Sequence, residues 1–195
     1  GQSRPVAVRE YDDLTQFAGR KLNAWDVAFF AERLKRERLQ LSEEELRPYF
    51  PLPRVLAGMF AVAEKLYGVR IAERSGVDVY HPDARFFDIL NADGSQRGGF
   101  FVDLYARPKK RGGAWMDECV GRKQLANTAP LPVAYLVCNL MPPVGAQPSL
   151  LTHAEVVTMF HEFGHGLHHM LTRVDYPSIA GINGVAWDAV ELPSQ

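Results

Sequence analysis

Hydrophobic and polar positions recur with a helical period through the first third of the chain. Residues 5–19 (PVAVREYDDLTQFAG) read as an amphipathic helix that stops at Gly19. In 25–39, Val27, Phe30, Ala31 and Leu34 share one stripe with charged residues opposite. Ser42 with Glu45 forms a capping-box pattern for a short helix ending near Pro48. Residues 53–67 (PRVLAGMFAVAEKLY) are apolar enough for a buried helix, closed by Gly68 at the position after its C-cap.

The period changes near residue 69. VRIAE (69–73) and RFFDIL (85–90) carry the branched and aromatic residues of strands. Asn91 to Gly94 (NADG) is a turn signal, so 85–106 is expected to be a β-hairpin. PKKRGG (108–113) reads as a basic, glycine-containing loop, and PVAYLVCNL (132–140) as a further strand between prolines. If that strand kept a free edge, it could bind an extended peptide by adding a strand; an ordinary interior strand is the simpler reading. A helical period returns from Thr152, which forms a second capping box with Glu155, and continues to Leu171. Residues 185–195 (VAWDAVELPSQ) look like the start of one more helix.

These elements predict a mainly α fold with a small antiparallel β-sheet, of the α+β class. They fall into a helical segment (1–68), a sheet region with hairpin and basic loop (69–140), and the last helices (141–195), all within one incomplete domain. The expectation of incompleteness comes from the apolar pattern still running at Gln195.

Composition narrows the function classes. The 195 residues are 47% hydrophobic and 23% charged, with 22 Lys+Arg against 23 Asp+Glu. That is a globular balance without the basic footprint of a nucleic-acid binder. No apolar run is long enough for a membrane span or a secretory leader. Two cysteines, Cys119 and Cys138, are no disulfide framework and fit a reducing compartment, so a cytoplasmic location is expected. Cys119 follows two acids and Cys138 sits in an apolar strand, so neither is expected to be a ligand or a nucleophile.

The histidines carry the chemistry. Five of the six lie between His153 and His169, on one predicted helix. His161-Glu162-Phe163-Gly164-His165 is an H-E-x-x-H motif. At about 100° per residue, positions i and i+4 share a face one turn apart, so two imidazoles can hold one Zn²⁺ ion. Glu162 then lies beside the metal without binding it, placed to take a proton from a metal-activated water. His168 shares that face but lies about 10 Å along the axis from His161, too far to join both histidines on one ion. His168 and His169 are therefore read as structural or supporting.

The third ligand must come from elsewhere, and Glu191, 26 residues after His165, is the best candidate. Asp188 precedes it by one turn and could hydrogen-bond a ligating imidazole, or simply complement a helix N-terminus. Gly164 and Gly166 each cost the helix about 1 kcal/mol relative to Ala, so something is expected to pack closely there, a neighbouring helix or substrate backbone.

Together, AWDVAFF, LRPYFPL, HPDARFF, FFVDLYARPKKRGGAWMDECVG, PVAYLVCNL, FHEFGHGLHHMLT and GVAWDAVELPSQ resemble the thimet oligopeptidase family of zinc peptidases, the bacterial oligopeptidases most of all. The resemblance extends over nearly the whole chain, with departures at Phe29-Phe30 and Tyr80. It implies a two-lobed, mainly helical zincin-type peptidase that admits short peptides. In it, His161, His165 and Glu191 bind one zinc and Glu162 is the general base. It also implies partner regions of the same polypeptide on both sides, so the isolated chain is expected to be inactive. A dipeptidyl carboxypeptidase of the same family is the alternative. A fragment that binds zinc or peptide without cleavage is the reading from another class. A purely structural helical domain stands last.

Overall fold

A computed structural model describes residues 3–39, 43–123 and 130–195. The chain divides into two compact units, Gly1–Leu46 and Arg47–Gln195. In the first, α1 (Ser3–Ala18) and α2 (Ala24–Leu39) pack on each other. Gly19, at φ +66°, closes α1 where a side chain would be strained. The Tyr11 hydroxyl donates to Leu22 O at 2.7 Å, and Arg38 reaches Asp13 at 3.3 Å. A single helical turn, α3 (Glu43–Leu46), ends this unit; the expected cap at Ser42 lies outside the described residues.

The second unit is built on helix and sheet. A 3-10 turn (Arg47–Tyr49) leads into α4 (Leu52–Tyr67), which buries Leu52, Val55, Leu56, Met59 and Ala63 along one face. Gly68 ends α4 at φ +65°, its N–H donating to Glu64 O. The strands are β1 (Arg70–Glu73), β2 (Arg85–Leu90), β3 (Gln96–Tyr105), β4 (Trp115–Val120) and β5 (Val133–Leu140), in the order β1-β2-β3-β5-β4. The β2–β3 hairpin forms as expected, with Asn91 N donating to Ser95 O across its turn. The helix α5 (His153–Met170) packs on β3, β4 and β5. The rings of Phe60, Phe87, Phe100 and Phe163 meet at 5.0–5.8 Å and join α4, α5 and the hairpin into one core.

The fold is α+β, as the pattern predicts, with one difference in the sheet. It is mixed, because β5 inserts between β3 and β4 and runs parallel to β3. The reason lies in β5 itself. Its nearly unbroken apolar run suits a central strand covered on both faces, and leaves the edge to the more polar β4. The basic loop also differs in character from a solvated one. Lys110 is buried, and its Nζ donates to Asp103 Oδ1, Tyr105 O and Cys138 O at 2.6–2.8 Å. Burial pushes the Asp103 carboxyl up, but hydrogen bonds from Arg107, Lys110 and Tyr80 outweigh it and hold the group at about 2. This cluster ties the loop before β4 to the centre of the sheet.

The second difference is in the last segment. No α-helix opens over 185–195; the chain makes successive turns and a 3-10 turn, Leu192–Ser194. Gly184, at φ +72°, and Pro193 both interrupt a regular helix. Among the described residues, no helix is long and apolar enough to cross a membrane.

Candidate metal centre

Both ends of α5 are fixed. At its start, Thr152 Oγ1 accepts from Glu155 N at 3.1 Å while Glu155 Oε2 accepts from Thr152 N at 2.7 Å. This is the capping box expected from sequence, and it satisfies two backbone donors that the helix would otherwise leave free. At the other end, Arg97 donates to Leu171 O at 2.6 Å. Between them, Met159, Phe163, Leu167 and Met170 face the core. That fixes the helix rotation and turns His161 and His165 to the opposite flank.

There the two rings lie 4.8 Å apart, nearly perpendicular. Glu191 Oε2 stands 3.1 Å from His161 Nε2 and 3.1 Å from His165 Nε2. One donor atom from each of the three residues lies within 4.8 Å of the others. Glu191 accepts a hydrogen bond from the Ser194 hydroxyl at 3.0 Å. That bond, with the two histidines, holds its carboxyl below the usual range against a smaller effect of burial. A carboxylate with two imidazole nitrogens is a donor set for a borderline-soft divalent cation. Ligands at about 2 Å from one tetrahedral ion lie roughly 3.3 Å apart, close to the 3.1 Å from Glu191 Oε2 to each imidazole nitrogen.

Glu162 is next to this group and outside it. Its Oε2 accepts the Met116 N–H of β4 at 2.9 Å. β4 is the edge strand of the sheet, so its outer backbone groups face this flank of α5. Sequence reasoning missed β4, because Asp117 and Glu118 interrupt its alternation. The glycines on either side, Gly112-Gly113 and Gly121, were the available signal.

The close approach expected at Gly164 is there, but its partner is neither a neighbouring helix nor substrate. A Cβ at Gly164 would lie 2.7 Å from Pro193 O and 2.7 Å from Ser194 Cα. The missing side chain lets the final segment lie directly on the helix, with Glu191 over the histidines. At Gly166 the nearest atoms are the Met170 Cε at 3.4 Å and Met116 Cγ at 3.9 Å, an ordinary contact.

The remaining predicted residues lie apart from the group. Asp188 is exposed in a turn, and His165 Nδ1 is buried with no hydrogen-bond partner among the described residues. His168 does not join the cluster, and burial, followed by His165 and His169, lowers its pKa. His169 is fully buried, with Nε2 3.1 Å from Val120 O, and so tacks α5 to the end of β4. Cys119 and Cys138 are unpaired, and burial, the largest effect, pushes the Cys138 thiol up to about 12.

The sequence profile of peptidase family M3 matches residues 1–195. The chain is 50% identical to oligopeptidase A of Haemophilus influenzae over 100% of its own length and 29% of that protein's. The values are the same for oligopeptidase A of Escherichia coli. It is 44% identical to the dipeptidyl carboxypeptidase of Salmonella typhimurium over 91% of the chain and 26% of that protein. The chain thus spans 29% of the length of the oligopeptidases it matches. Because the family profile matches the whole of residues 1–195, the chain belongs to peptidase family M3.

Proposed function

We propose that this chain carries the metal centre of a zinc-dependent oligopeptidase that hydrolyses short peptides. The observation that supports it most is the convergence of His161, His165 and Glu191 on one flank of α5, with Glu162 beside them. Membership in a family of metallopeptidases and the names of the relatives support the same reading. In it, His161 and His165 each offer Nε2 and Glu191 offers a carboxylate oxygen to Zn²⁺. The bound ion would polarise a peptide carbonyl and lower the pKa of a nearby water towards about 7.

Glu162 acts as general base, accepting the proton of the attacking water and passing it to the leaving amine. The Met116 N–H donates to one of its oxygens, and among the described residues the other has no hydrogen-bond donor and can take that proton. Other regions of the full-length polypeptide complete the enzyme, and both free thiols suit a cytoplasmic setting.

The test uses the full-length polypeptide. Its metal is removed by chelation and restored with Zn²⁺, and turnover of a quenched peptide is followed with product masses. One zinc per chain with activity returning in proportion supports the reading. Internal cleavage marks an oligopeptidase, and release of C-terminal dipeptides the carboxypeptidase alternative. Full activity in the chelated protein would overturn it.

A further inference from the structure

Beyond the C-terminal end of α5, roughly 10 Å further along its axis than His165, lies a cavity of about 480 Å³. Three guanidinium groups line it: Arg97 from β3, Arg122 just after β4, and Arg173 just after α5. Thr172, Asn91 and Gln96 add neutral polar groups to the same wall. This is the opposite chemistry from the metal centre, and the proposed peptidase reaction makes no use of it.

The charge there is not balanced. Arg122 pairs with Asp175, Nε to Oδ1 at 2.6 Å. Among the described residues Arg97 has only neutral acceptors, Leu171 O at 2.6 Å and Asn91 Oδ1 at 3.3 Å, and its Nε is buried without a partner. Arg173 makes no ion pair among the described residues. Among the described residues, three positive charges therefore meet one carboxylate. Burial first, then Arg173 and Arg122, lowers the Arg97 pKa, as expected where like charges gather without a counter-ion. The α5 C-terminus supplies a partial negative charge nearby, but its Leu171 carbonyl is already held by Arg97. An excess of about two positive charges on planar, fork-shaped donors is the usual means of recognising a phosphate group.

We propose that the cavity lined by Arg97, Arg122 and Arg173 is a binding site for a phosphate dianion, free or carried as a phosphate monoester. Arg122 and Arg173 supply charge-assisted hydrogen bonds to its oxygens, and Arg97 supplies the third positive charge. The cavity is larger than a bare phosphate, which leaves room for an ester substituent. Arg173 and the Arg122–Asp175 pair stand at the root of the segment that leads to Glu191, so an anion held there would also brace that segment.

The experiment titrates the full-length protein at pH 7.5 by calorimetry. Inorganic phosphate, glycerol phosphate and chloride are compared at matched ionic strength. Phosphate is expected to bind one per chain where chloride shows no saturable binding. Arg173→Gln and Arg122→Gln should each weaken it roughly ten-fold, the loss of one charge-assisted contact. Arg173 is exposed and makes no ion pair among the described residues, so its replacement leaves the fold alone, and circular dichroism checks this. Arg54→Gln removes the same charge from an exposed position on α4 and should bind as wild type. Tighter binding of glycerol phosphate identifies an ester as the ligand, and equal binding identifies the free anion. Phosphate no better than chloride would overturn the proposal. So would wild-type affinity in both cavity variants, or an equal loss in Arg54→Gln.

Discussion

His161 and His165 reach the candidate centre on α5, and Glu191 reaches it on a stretch of turns. The helix is over-determined: a capping box at one end, Arg97 on its last carbonyl, and a face of Met159, Phe163, Leu167 and Met170 locked in the core. Glu191 sits on an exposed segment held by a few contacts, chiefly the Pro193-Ser194 backbone against Gly164 and the Ser194 hydroxyl. The pair of histidines is thus pre-organised by local structure, while the third group depends on how closely two backbones approach. Different substitutions should break the two halves.

The largest effect is expected on the helical half. His165→Ala should remove bound zinc and peptide turnover together, measured by metal analysis and a quenched peptide in the full-length polypeptide. Retention of stoichiometric zinc would remove His165 from the ligand set. Glu162→Gln should separate the two readouts, keeping the metal while turnover falls roughly 10²–10⁴-fold. Loss of zinc in that variant would make Glu162 a ligand and the scheme wrong.

The two glycines sharpen the comparison most directly. Gly164→Ala puts a methyl into the Pro193-Ser194 backbone, so zinc affinity should drop although helix propensity improves. Gly166→Ala meets only the flexible Met170 end and Met116 at ordinary distance, and should keep zinc while gaining up to about 1 kcal/mol. Equal zinc affinity in both would mean that the close packing at Gly164 does not position Glu191. Conversely, Thr152→Ala should cost about 1 kcal/mol of stability by denaturant melting and leave zinc affinity unchanged, since only the cap is lost.

The last effect lies in the acid dependence of stability. The Asp103 carboxyl is depressed to about 2 in the fold. Its contribution is therefore complete above the ordinary carboxylate range and fades as pH falls through about 2. Stability measured from pH 5 downward should decline less steeply in Asp103→Asn than in the native protein. Parallel curves would show that the Lys110–Asp103 cluster does not set acid stability.

The sequence made the helical half legible for the same reason that it is robust. Thr152, Glu155 and the 3.6-residue spacing act within a few turns, so pattern alone located α5 and brought His161 and His165 to one face. Gly68, the 91–94 turn and the hairpin around it are equally local. What failed to appear in the pattern depends on distant residues. The segment at 185–195 has a helical period, but Gly184, Pro193 and the contact with Gly164 hold it in turns. Met116 donates to Glu162 through its backbone, which no side-chain pattern reports.

The sequence by itself determined the α+β class, the capped helix, the spacing of the two imidazoles and the place of Glu162 beside them. These are consequences of helix geometry and short-range hydrogen bonds. Tertiary structure alone decided that β5 lies inside the sheet parallel to β3, that β4 forms the edge against Glu162, and that Glu191 comes within 3.1 Å of both histidines. Those outcomes arise from packing between segments 20 or more residues apart. There, the absence of one methyl group at Gly164 counts for more than any periodicity.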